Sequence, residues 1–374
     1  MKNNFLALCV LLSLSFSALA QENLNNPIVT AVPSLSIAPD ARAGAMGDVG
    51  AATAPDVNSQ YWNAAKYVFM ESDAGFSLSY TPWLRKLVTD IDLAYLSSYW
   101  KFDQRQALSA SLRYFSLGDI DLMDELGLPQ GSAHPNELAV DVAYSRLLSD
   151  KLSASATLRF ISSDLGNGSG NVNMYPGAAV AADVAAYYRT PISLETTEGT
   201  LALGLNISNI GSKISYDKFE TSNFIPTNLR LGGSFEYPLD TYNKISVSAD
   251  INKLLVPTQN NMTADEYSSL SPLSGIFSSF SDAPGGASEE LREIMWSLGT
   301  EYAYNNQFFV RAGYYNESQY KGNRKYFTAG AGFKLNMFQL DAGYVISTSQ
   351  SNPLDQTLRF SLSFDLFGLQ NLVK

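Results

Sequence analysis

The sequence is poor in the residues that nucleophilic and metal chemistry most often use. Its 374 residues include one cysteine and one histidine. The cysteine, Cys9, lies in a segment that we expect to be removed. The mature chain would then contain no thiol, no disulfide and no thiolate metal site. The sequence predicts no metal site and no cofactor.

The first twenty residues match a secretory signal peptide. Lys2 supplies a positive charge, an apolar run follows from 5 to 16, and Ala18-Leu19-Ala20 is a small-residue cleavage signal. The apolar run is too short to cross a bilayer, which takes about 20 residues as a helix. We expect residues 1–20 to be cleaved and the mature protein to be exported.

Long hydrophobic runs and charges are both scarce in the rest of the chain. No stretch reaches about 18 apolar residues, the length that indicates a membrane-spanning helix. Only 16% of the residues are charged, while 21 tyrosines and 20 phenylalanines make the chain rich in aromatic groups. The formal net charge of −11 disfavours nucleic acid as a partner, because phosphate binding requires a basic surface. An exported chain without apolar helices can still enter a membrane as a closed β-barrel.

Apolar and polar residues alternate with period two in fourteen segments from residue 75 onward. The segments recur at a length of about ten residues, which suits a tilted strand that crosses a bilayer. The pattern predicts an all-β fold, a transmembrane antiparallel up-and-down β-barrel of about 14 strands over residues 75–374. The alternating positions lie within 76–80, 91–95, 108–114, 138–144, 152–160, 180–188, 201–207, 229–235, 245–251, 296–304, 308–314, 327–333, 338–346 and 358–366.

Charged residues in these segments share the face opposite the apolar one. They are sparse and balanced in sign, whereas the wet face of a periplasmic sandwich, the alternative fold, would be richer in lysine and glutamate. We expect ion pairs inside a closed lumen, with glycines on the same face where backbones approach closely. The predicted lumenal residues are Asp92, Arg113, Asp141, Arg159, Arg230, Asp250, Glu301, Arg311, Asp341 and Arg359, together with Asp183, Glu236, Lys334 and Asp365.

The connections between segments are alternately short and long. Those after even-numbered segments are tight, for example 149–151 and 305–307, whereas those after odd-numbered segments include 116–137 and 253–293. Outer-membrane barrels have short periplasmic turns and long extracellular loops. The alternation therefore predicts an even number of strands, extracellular long loops and both chain ends in the periplasm.

The segment before the barrel, residues 21–74, does not alternate and is rich in small residues. Its run 40–52 has glycines three residues apart, but it lacks the spacing of a dinucleotide-binding loop. We interpret the segment as a plug or hatch packed in the lumen, where small residues suit close packing; a ligand cradle is the alternative. The motif residues of this plug are Arg42, Gly44, Met46, Gly47, Trp62 and Asn63.

A family resemblance adds to this pattern. The run APDARAGAMGDVGAATAPDVNSQYWNAAKYVFM resembles the N-terminal signature of the FadL-like outer-membrane superfamily, although Ala64 stands where that superfamily usually has a proline. Together with SYTPWLRKLVTDIDLAYL and LRYFSLGDI, it resembles more closely the PorV family of the type IX secretion system. The resemblance implies a FadL-like barrel that acts as a non-enzymatic shuttle. Such a shuttle takes cargo with a C-terminal signal domain from the outer-membrane translocon to the cell-surface sortase and attachment complex, so these proteins and outer-membrane lipid are the implied partners.

The residues themselves do not predict an enzyme. His134 lies in the loop 131–136 rather than on a strand wall, and a barrel esterase would need a histidine beside a serine on that wall. The interior carboxylates are interspersed with bases, which makes ion pairs a better interpretation than a catalytic acid–base pair.

The outer loops carry the candidate binding residues. Loop 253–293 is the longest connection and mixes apolar with acidic side chains, which suggests a docking surface for a protein. The alternative is that its apolar residues fold inward and cover the barrel mouth. The candidate contact residues are Leu254, Leu255, Val256, Ile276, Phe277 and Phe280 in this loop, Phe219, Phe224 and Ile225 in the preceding one, and Trp83 and Leu84 in the first.

Transport of hydrophobic small molecules through a FadL-like barrel is the second candidate function. The segment before the barrel would then open as a hatch. Charges on nearly every strand leave little apolar lining for such a route, whereas a route that opens sideways through the wall would avoid them.

Overall fold

The computed structural model describes residues 26–85, 88–124, 126–166, 175–193, 197–217, 221–259, 262–348 and 354–366. The proposed signal peptide, residues 1–20, lies outside these ranges. Within them, no helix has the length and hydropathy needed to cross a bilayer.

Fourteen strands form one closed antiparallel barrel, which confirms the fold predicted from the alternating pattern. The strands of the chain are β1 (Ala74–Pro82), β2 (Ile91–Asp103), β3 (Gln106–Leu117), β4 (Ile120–Met123), β5 (Pro129–Ala133), β6 (Asn136–Ser149), β7 (Leu152–Asp164), β8 (Gly177–Ser193), β9 (Glu198–Gly211), β10 (Asn228–Pro238), β11 (Asn243–Leu254), β12 (Met295–Tyr304), β13 (Phe308–Asn316), β14 (Lys325–Leu335), β15 (Phe338–Ser347) and β16 (Leu358–Leu366). Pairing of β1 with β16 closes the ring. Strands β4 and β5 form a separate hairpin in the loop between β3 and β6, which the pattern did not predict.

Short helices lie in the segment before the barrel and in the loop between β11 and β12. Asp40 caps the first of them by accepting a hydrogen bond from the Ala43 N–H at 2.9 Å. Thr263 and Glu266 form a capping box where the long loop begins its first helix. The helices are α1 (Ala41–Gly44), α2 (Ser59–Trp62), α3 (Ala264–Ser269), α4 (Pro272–Ser278) and α5 (Ala287–Arg292), with 3₁₀ turns at Pro33–Ser36 and Ala64–Phe69.

The two faces of the strands differ as the alternation predicts in every segment but one. Leu158 and Val310 are exposed on the outside, whereas their neighbours Arg159 and Arg311 are buried inside. Outward apolar side chains suit contact with lipid hydrocarbon, and inward polar side chains can satisfy one another. The outside of the barrel is therefore apolar and its inside polar.

Strand β2 is the exception, and its phase was predicted wrongly. Leu93 and Tyr95 are buried in the lumen, while Leu96 and Trp100 face outward. Both faces of this stretch consist mainly of apolar or small residues, so alternation alone could not choose between the two phases. On the inward face, Tyr99 stacks on Tyr67 with ring centres 5.0 Å apart, and the Arg113 guanidinium lies 5.5 Å from the centre of the Tyr95 ring.

Asp92, at the loop end of β2, is consequently not part of the lumenal network. Its carboxylate accepts hydrogen bonds from the Tyr80 hydroxyl at 2.6 Å and from the Arg85 guanidinium at 3.0 Å. Both partners are exposed. The prediction that Asp92 forms a lumenal ion pair is wrong.

The N-terminal segment, residues 26–73, runs through the lumen from one end of the barrel to the other. At the end with the long loops, the Asn26 N–H donates to the Tyr320 carbonyl at 3.0 Å. At the end with the short turns, the Ser72 hydroxyl donates to Asp365 on β16 at 3.2 Å. The first described residues therefore lie at the end with the long loops. The prediction that both chain ends lie with the short turns concerns residues outside the described ranges and stays a prediction. Strand parity fixes where the barrel begins and ends, but not the path of the chain before β1.

Candidate functional site

Glycines on the inner wall allow the N-terminal segment to lie directly against the strands. A Cβ atom added at Gly313 would lie 2.1 Å from the Met46 carbonyl carbon, and one at Gly204 would lie 2.0 Å from the Ala51 carbonyl oxygen. A strand glycine commonly marks such a close backbone approach. The inner-face glycines recognised in the sequence therefore mark the contact between segment and wall.

The motif residues of the segment are buried at this contact. Gly47 has a φ of +73°, a conformation that favours glycine, and its N–H donates to the Thr328 hydroxyl at 2.8 Å. Gly44 leaves no room for a side chain, because an added Cβ would lie 2.7 Å from Cδ of Arg359. All six motif residues are buried: Arg42, Gly44, Met46, Gly47, Trp62 and Asn63.

Trp62 and Asn63 satisfy polar groups of a segment that has little regular secondary structure. The Trp62 indole N–H donates to Asp40 at 2.6 Å, which ties α2 to the start of α1. The Asn63 amide donates to the carbonyls of Ala51 and Ala186 at 3.0 and 2.9 Å. These bonds replace the water that the buried carbonyls would otherwise need.

A chain of charged side chains joins the segment to strands β12, β13 and β15. Arg42 binds both oxygens of Glu301, at 3.1 Å from Nε and 3.0 Å from Nη2. Arg311 binds Glu301 at 2.6 Å and Asp341 also at 2.6 Å. Asp56 binds the remaining nitrogen of Arg42 at 2.7 Å. Because these charges lie away from water, loss of one member leaves its partner uncompensated.

Further ion pairs cross the lumen elsewhere. Arg159 on β7 binds Asp141 on β6 at 3.0 Å and Asp183 on β8 at 2.9 Å. Arg359 on β16 pairs with Asp48 of the N-terminal segment. Nearer the short turns, two half-buried pairs lie at the rim: Glu236 with Lys244 at 3.2 Å and Lys334 with Asp365 at 2.9 Å.

Three predicted lumenal residues face inward without the expected ion pair. Arg113 donates to backbone carbonyls of the N-terminal segment. Asp250 accepts hydrogen bonds from the backbone N–H groups of residues 50–51 at 2.8 and 3.0 Å. Arg230 donates to the Asn252 side-chain oxygen at 2.8 Å. The ion-pair prediction is wrong for these three in the part of the chain that the structure describes, because backbone and amide groups take the place of charged partners.

Cavities remain on both sides of the N-terminal segment. An inner cavity of about 70 Å³, toward the long loops, is lined by Arg159, Arg230 and Arg324 with several asparagine and tyrosine side chains. It adjoins an outer cavity of about 300 Å³ beside Ile28 and Lys321. At the short turns, a cavity of about 390 Å³ is lined mainly by polar and charged side chains. The linings of the inner cavity and of the cavity at the short turns are mainly polar, unlike the mostly apolar pockets that hold hydrophobic small molecules.

Buried ion pairs also hold the long loop between β11 and β12 in place. Glu293, just after α5, binds Lys253 and Lys321, the latter at 3.0 Å. Glu289 binds Lys321 at 2.6 Å, and Glu290 binds Lys253 at 3.0 Å. Since Lys253 lies near the end of β11 and Lys321 lies in the loop after β13, these pairs fix α5 over the barrel mouth.

Asp282 makes the same loop sensitive to pH. Burial, together with repulsion by the nearby Glu290 and Glu293, raises its pKa to about 6. The Thr258 N–H donates a hydrogen bond to this carboxylate at 3.0 Å, which acts to lower the pKa. Asp282 therefore gains a proton in mildly acidic solution.

The candidate contact residues of the loops are covered to different degrees. Four of them are buried inside the protein: Phe224, Ile225, Leu255 and Val256. These four side chains fold inward and pack in the interior, so they are not available to contact a partner. Leu254, Ile276, Trp83 and Leu84 are partly buried. Phe219 lies outside the described residues.

Phe277 and Phe280 remain exposed by 75% and 51%, as does Leu273 in α4. Leu273 and Phe277 are four residues apart, so they lie on one face of the helix. We call Leu273, Phe277 and Phe280 the outer apolar surface. Leu291 on α5 is also exposed, but no pattern predicts it because it stands alone between charged residues.

His134 contacts a serine and an aspartate outside the strand wall. In the exposed region of the β4–β5 hairpin, its Nδ1 lies 2.6 Å from Asp119 and its Nε2 lies 3.4 Å from the Ser132 hydroxyl. The side chains of His134 and Asp119 are 54% and 70% exposed, so water screens their interaction. None of the three residues lines a cavity described above, and we assign them no catalytic role. Among the described residues, no group of three or more histidine, cysteine or acidic side chains is arranged to hold a metal ion.

Solved structures of outer-membrane channels are similar to this chain over most of its length. The toluene transporter TodX of Pseudomonas putida gives a TM-score of 0.52 at 12% identity, covering 87% of this chain and 97% of TodX. A TodX mutant described as a monoaromatic hydrocarbon channel gives 0.52 at 13% identity over 87% and 99%. A FadL homologue of Pseudomonas aeruginosa gives 0.43 at 11% identity over 91% and 99%. At such identities the likeness to TodX shows the fold alone.

A family model identifies the family of this chain. No curated protein sequence matches the chain significantly. The model described as type IX secretion system protein PorV matches residues 19–261, which is more than half of the chain and includes the N-terminal segment and the strands through β11. This chain therefore belongs to the PorV family and is an outer-membrane β-barrel component of the type IX secretion system.

Proposed function

We propose that this protein is a non-enzymatic cargo carrier. It binds the C-terminal signal domain of a secreted protein at the outer-membrane translocon and carries it to the cell-surface sortase and attachment complex. Membership of the PorV family supports a role in this secretion system. The observation that favours binding of a protein is the outer apolar surface, which stays exposed on a loop that buried ion pairs hold in place.

The chemistry of this surface suits reversible docking. Leu273, Phe277 and Phe280 supply apolar anchors of the kind that carry most of the binding energy at protein interfaces. Exposed acidic residues lie on the adjoining α3, among them Asp265 and Glu266. An apolar centre with a polar rim is the usual arrangement of such an interface.

The ion pairs beneath the loop lower the cost of binding. Ordering a flexible loop on association costs about 0.5–1.5 kcal/mol for each immobilised side chain. Because Glu289 and Glu293 already bind Lys321, much of this ordering is complete before a partner arrives. The surface is therefore preorganised.

The N-terminal segment serves in this proposal as a plug that stays in the lumen. Its buried ion pair between Arg42 and Glu301, and its backbone contact with Gly204 and Gly313, support a fixed position. In the same proposal, residues 1–20 direct export, the short turns face the periplasm and the long loops face the cell exterior.

Transport of hydrophobic small molecules is the second candidate, because a solved structure similar to this chain is that of a toluene transporter. The segment would then move as a hatch. The polar linings of the cavities and the charged contacts of the segment argue against a lumenal route for hydrocarbon.

The test compares capture of a signal domain by two variants. Phe277→Asp combined with Phe280→Asp removes two aromatic anchors and should weaken capture of an immobilised signal domain about thirtyfold or more, since one anchor is worth roughly 2 kcal/mol. The matched control is Leu126→Asp, an equally exposed apolar residue in the loop between β4 and β5, which should change capture less than about twofold. Equal capture by all three proteins would remove the outer apolar surface from the proposal.

Recovery of the protein from native membranes distinguishes carrier from transporter. Near-stoichiometric secreted protein in the purified sample supports the carrier. Bound hydrocarbon or fatty acid without secreted protein supports the transporter.

A further inference from the structure

The inner cavity contains a guanidinium group without a carboxylate hydrogen-bonded to it among the described residues. Arg230 donates through Nε to Asn252, and its guanidinium lies 4.5 Å from the centre of the Trp62 ring and 5.3 Å from that of Tyr61. Asp250 attracts it electrostatically, but that carboxylate accepts its hydrogen bonds from backbone N–H groups of the N-terminal segment. The aromatic rings and Asn252 thus hold Arg230 in one orientation and leave its two terminal nitrogens available.

The other charged side chains that line this cavity already have charged partners. Arg159 is bound by two carboxylates of β6 and β8. Arg324 is bound by Glu317 through both oxygens, at 2.8 and 3.0 Å. Asp48, the acidic residue of the lining, pairs with Arg359. Among the described residues that line the cavity, Arg230 is therefore the guanidinium with no carboxylate hydrogen-bonded to it, and its terminal nitrogens can accept an anionic ligand.

The outer cavity adjoins the inner cavity on the side of the long loops. Its volume is about 300 Å³, and Ser36, Leu254, Met295 and Arg324 line both it and the inner cavity. The remaining lining mixes apolar residues of the N-terminal segment with Glu293, Glu317 and Lys321. Such a mixture suits a polypeptide, with its polar backbone, better than a hydrocarbon chain.

We propose that Arg230, with the side-chain amides of Asn228 and Asn252, binds a carboxylate group, and that this group is the C-terminus of a polypeptide. A planar carboxylate matches the guanidinium fork and forms two parallel charge-assisted hydrogen bonds with it. A phosphate dianion would leave a charge uncompensated at a single free guanidinium. The inference rests on the proposed function, because a cargo domain docked on the outer apolar surface would bring its chain end to this mouth.

The test uses synthetic peptides that contain the terminal residues of a type IX signal domain. One peptide ends in a free carboxylate and the other in a carboxamide, and both carry a fluorophore at the N-terminus. The purified protein in detergent should bind the carboxylate peptide about tenfold more tightly, as expected for one charge-assisted contact. Equal binding of the two peptides overturns the inference.

Variants connect this preference to Arg230. Arg230→Gln should abolish the tenfold preference, whereas Arg230→Lys should restore part of it, because a lysine keeps the charge but not the fork. The control Arg146→Gln changes an exposed arginine on β6 and should keep the full preference. All variants should retain the heat-resistant mobility of the folded barrel in detergent gels. A full preference in folded Arg230→Gln overturns the assignment.

Competition by free carboxylates distinguishes a site for a polypeptide C-terminus from a site for a small carboxylate. Acetate and decanoate are added as competitors of the carboxylate peptide. Competition that is weak relative to the peptide supports recognition of a chain terminus. Tight binding of either competitor, with no preference between the two peptides, overturns the peptide assignment in favour of a small-carboxylate site. Failure of the intact signal domain to bind at all would instead contradict the proposed function, so the two failures are distinguishable.

Discussion

Charged residues are arranged in the same way in the lumen and in the long loop between β11 and β12, whereas the exposure of apolar residues differs between the two regions. In both regions acids and bases are buried in pairs, such as Arg311 with Glu301 and Lys321 with Glu293. In the lumen, the backbone of the N-terminal segment packs directly against glycines of the wall. In the loop, Phe277 and Phe280 stay exposed. Burial of ion pairs therefore serves to fix parts of the chain in both regions. Only the loop retains apolar surface, which is available to a partner.

The largest expected effect tests the lumenal side of this comparison. Glu301→Gln should lower the free energy of unfolding by about 3–5 kcal/mol, because Arg42 and Arg311 lose the buried carboxylate that they share. Denaturant unfolding of the purified barrel measures the change. Asp92→Asn is the control: its pair with Arg85 is exposed, so the loss should stay below about 1 kcal/mol. Equal losses in both variants would show that burial adds nothing to these pairs.

Backbone contact at glycine should give the next largest effect. Gly204→Ala places a Cβ against the Ala51 carbonyl and should destabilise the protein by about 1–3 kcal/mol through overpacking. Gly233→Ala on the neighbouring strand is the matched control, since its added Cβ would meet its nearest atom, in Leu203, at 3.8 Å. Thermal unfolding compares the two. A smaller loss in Gly204→Ala than in the control would mean that the segment can withdraw from the wall.

The covered and exposed sides of the loop should respond differently to truncation. Val256→Ala removes two buried methyl groups and should destabilise the loop by about 1–2 kcal/mol. Phe277→Ala should change its stability by no more than about 0.5 kcal/mol, because the ring is exposed. The rate of proteolytic cleavage within the loop measures both effects. Faster cleavage of Phe277→Ala than of Val256→Ala would reverse the assignment of the two sides.

The smallest effect concerns pH and Asp282. Its folded pKa of about 6 lies above the ordinary value of about 4, so the stability that it contributes is fully present below about pH 4 and is lost as pH rises through about 6. Amides near Asp282 should therefore show less hydrogen-exchange protection at about pH 7.5 than at about pH 5, after correction for intrinsic rates. Asp282→Asn should remove this difference. A larger protection at the higher pH would contradict the sign.

The repeating part of the fold could be predicted from the sequence. Period-two alternation predicts fourteen strands, and it identifies β8 as a strand although its many alanines favour a helix by propensity. The neighbouring segments supply the phase that a single segment lacks. Strand β2 was assigned the wrong phase because neither of its faces is clearly polar near Leu93 and Tyr95.

The contacts of the non-repeating parts could not be predicted. The N-terminal segment contacts residues far along the chain, as in the pair between Asp48 and Arg359. The amide partner of Arg230 and the backbone partners of Asp250 are also distant in sequence, so no local pattern predicts them. In the loop, Val256 and Phe277 are both apolar, and their composition does not say which one is covered. Contacts between residues distant in sequence determine which of the two side chains is covered, and a periodic pattern does not predict those contacts.

The central claim is that cargo binds on the outer apolar surface while the N-terminal segment stays in the lumen. A disulfide can hold the segment there: a Cβ at Gly343 would lie 3.4 Å from that of Ala45, close to the about 3.5–4.5 Å of natural disulfides. The same Cβ would lie 2.9 Å from the Ala41 carbonyl oxygen, so the segment must shift slightly to accept it. The measurement is capture of a signal domain by the variant Ala45→Cys with Gly343→Cys, oxidised and then reduced. We predict equal capture in both states, within about twofold, and a loss in both when Phe277→Asp and Phe280→Asp are added. Capture that disappears on oxidation and returns on reduction would contradict the claim.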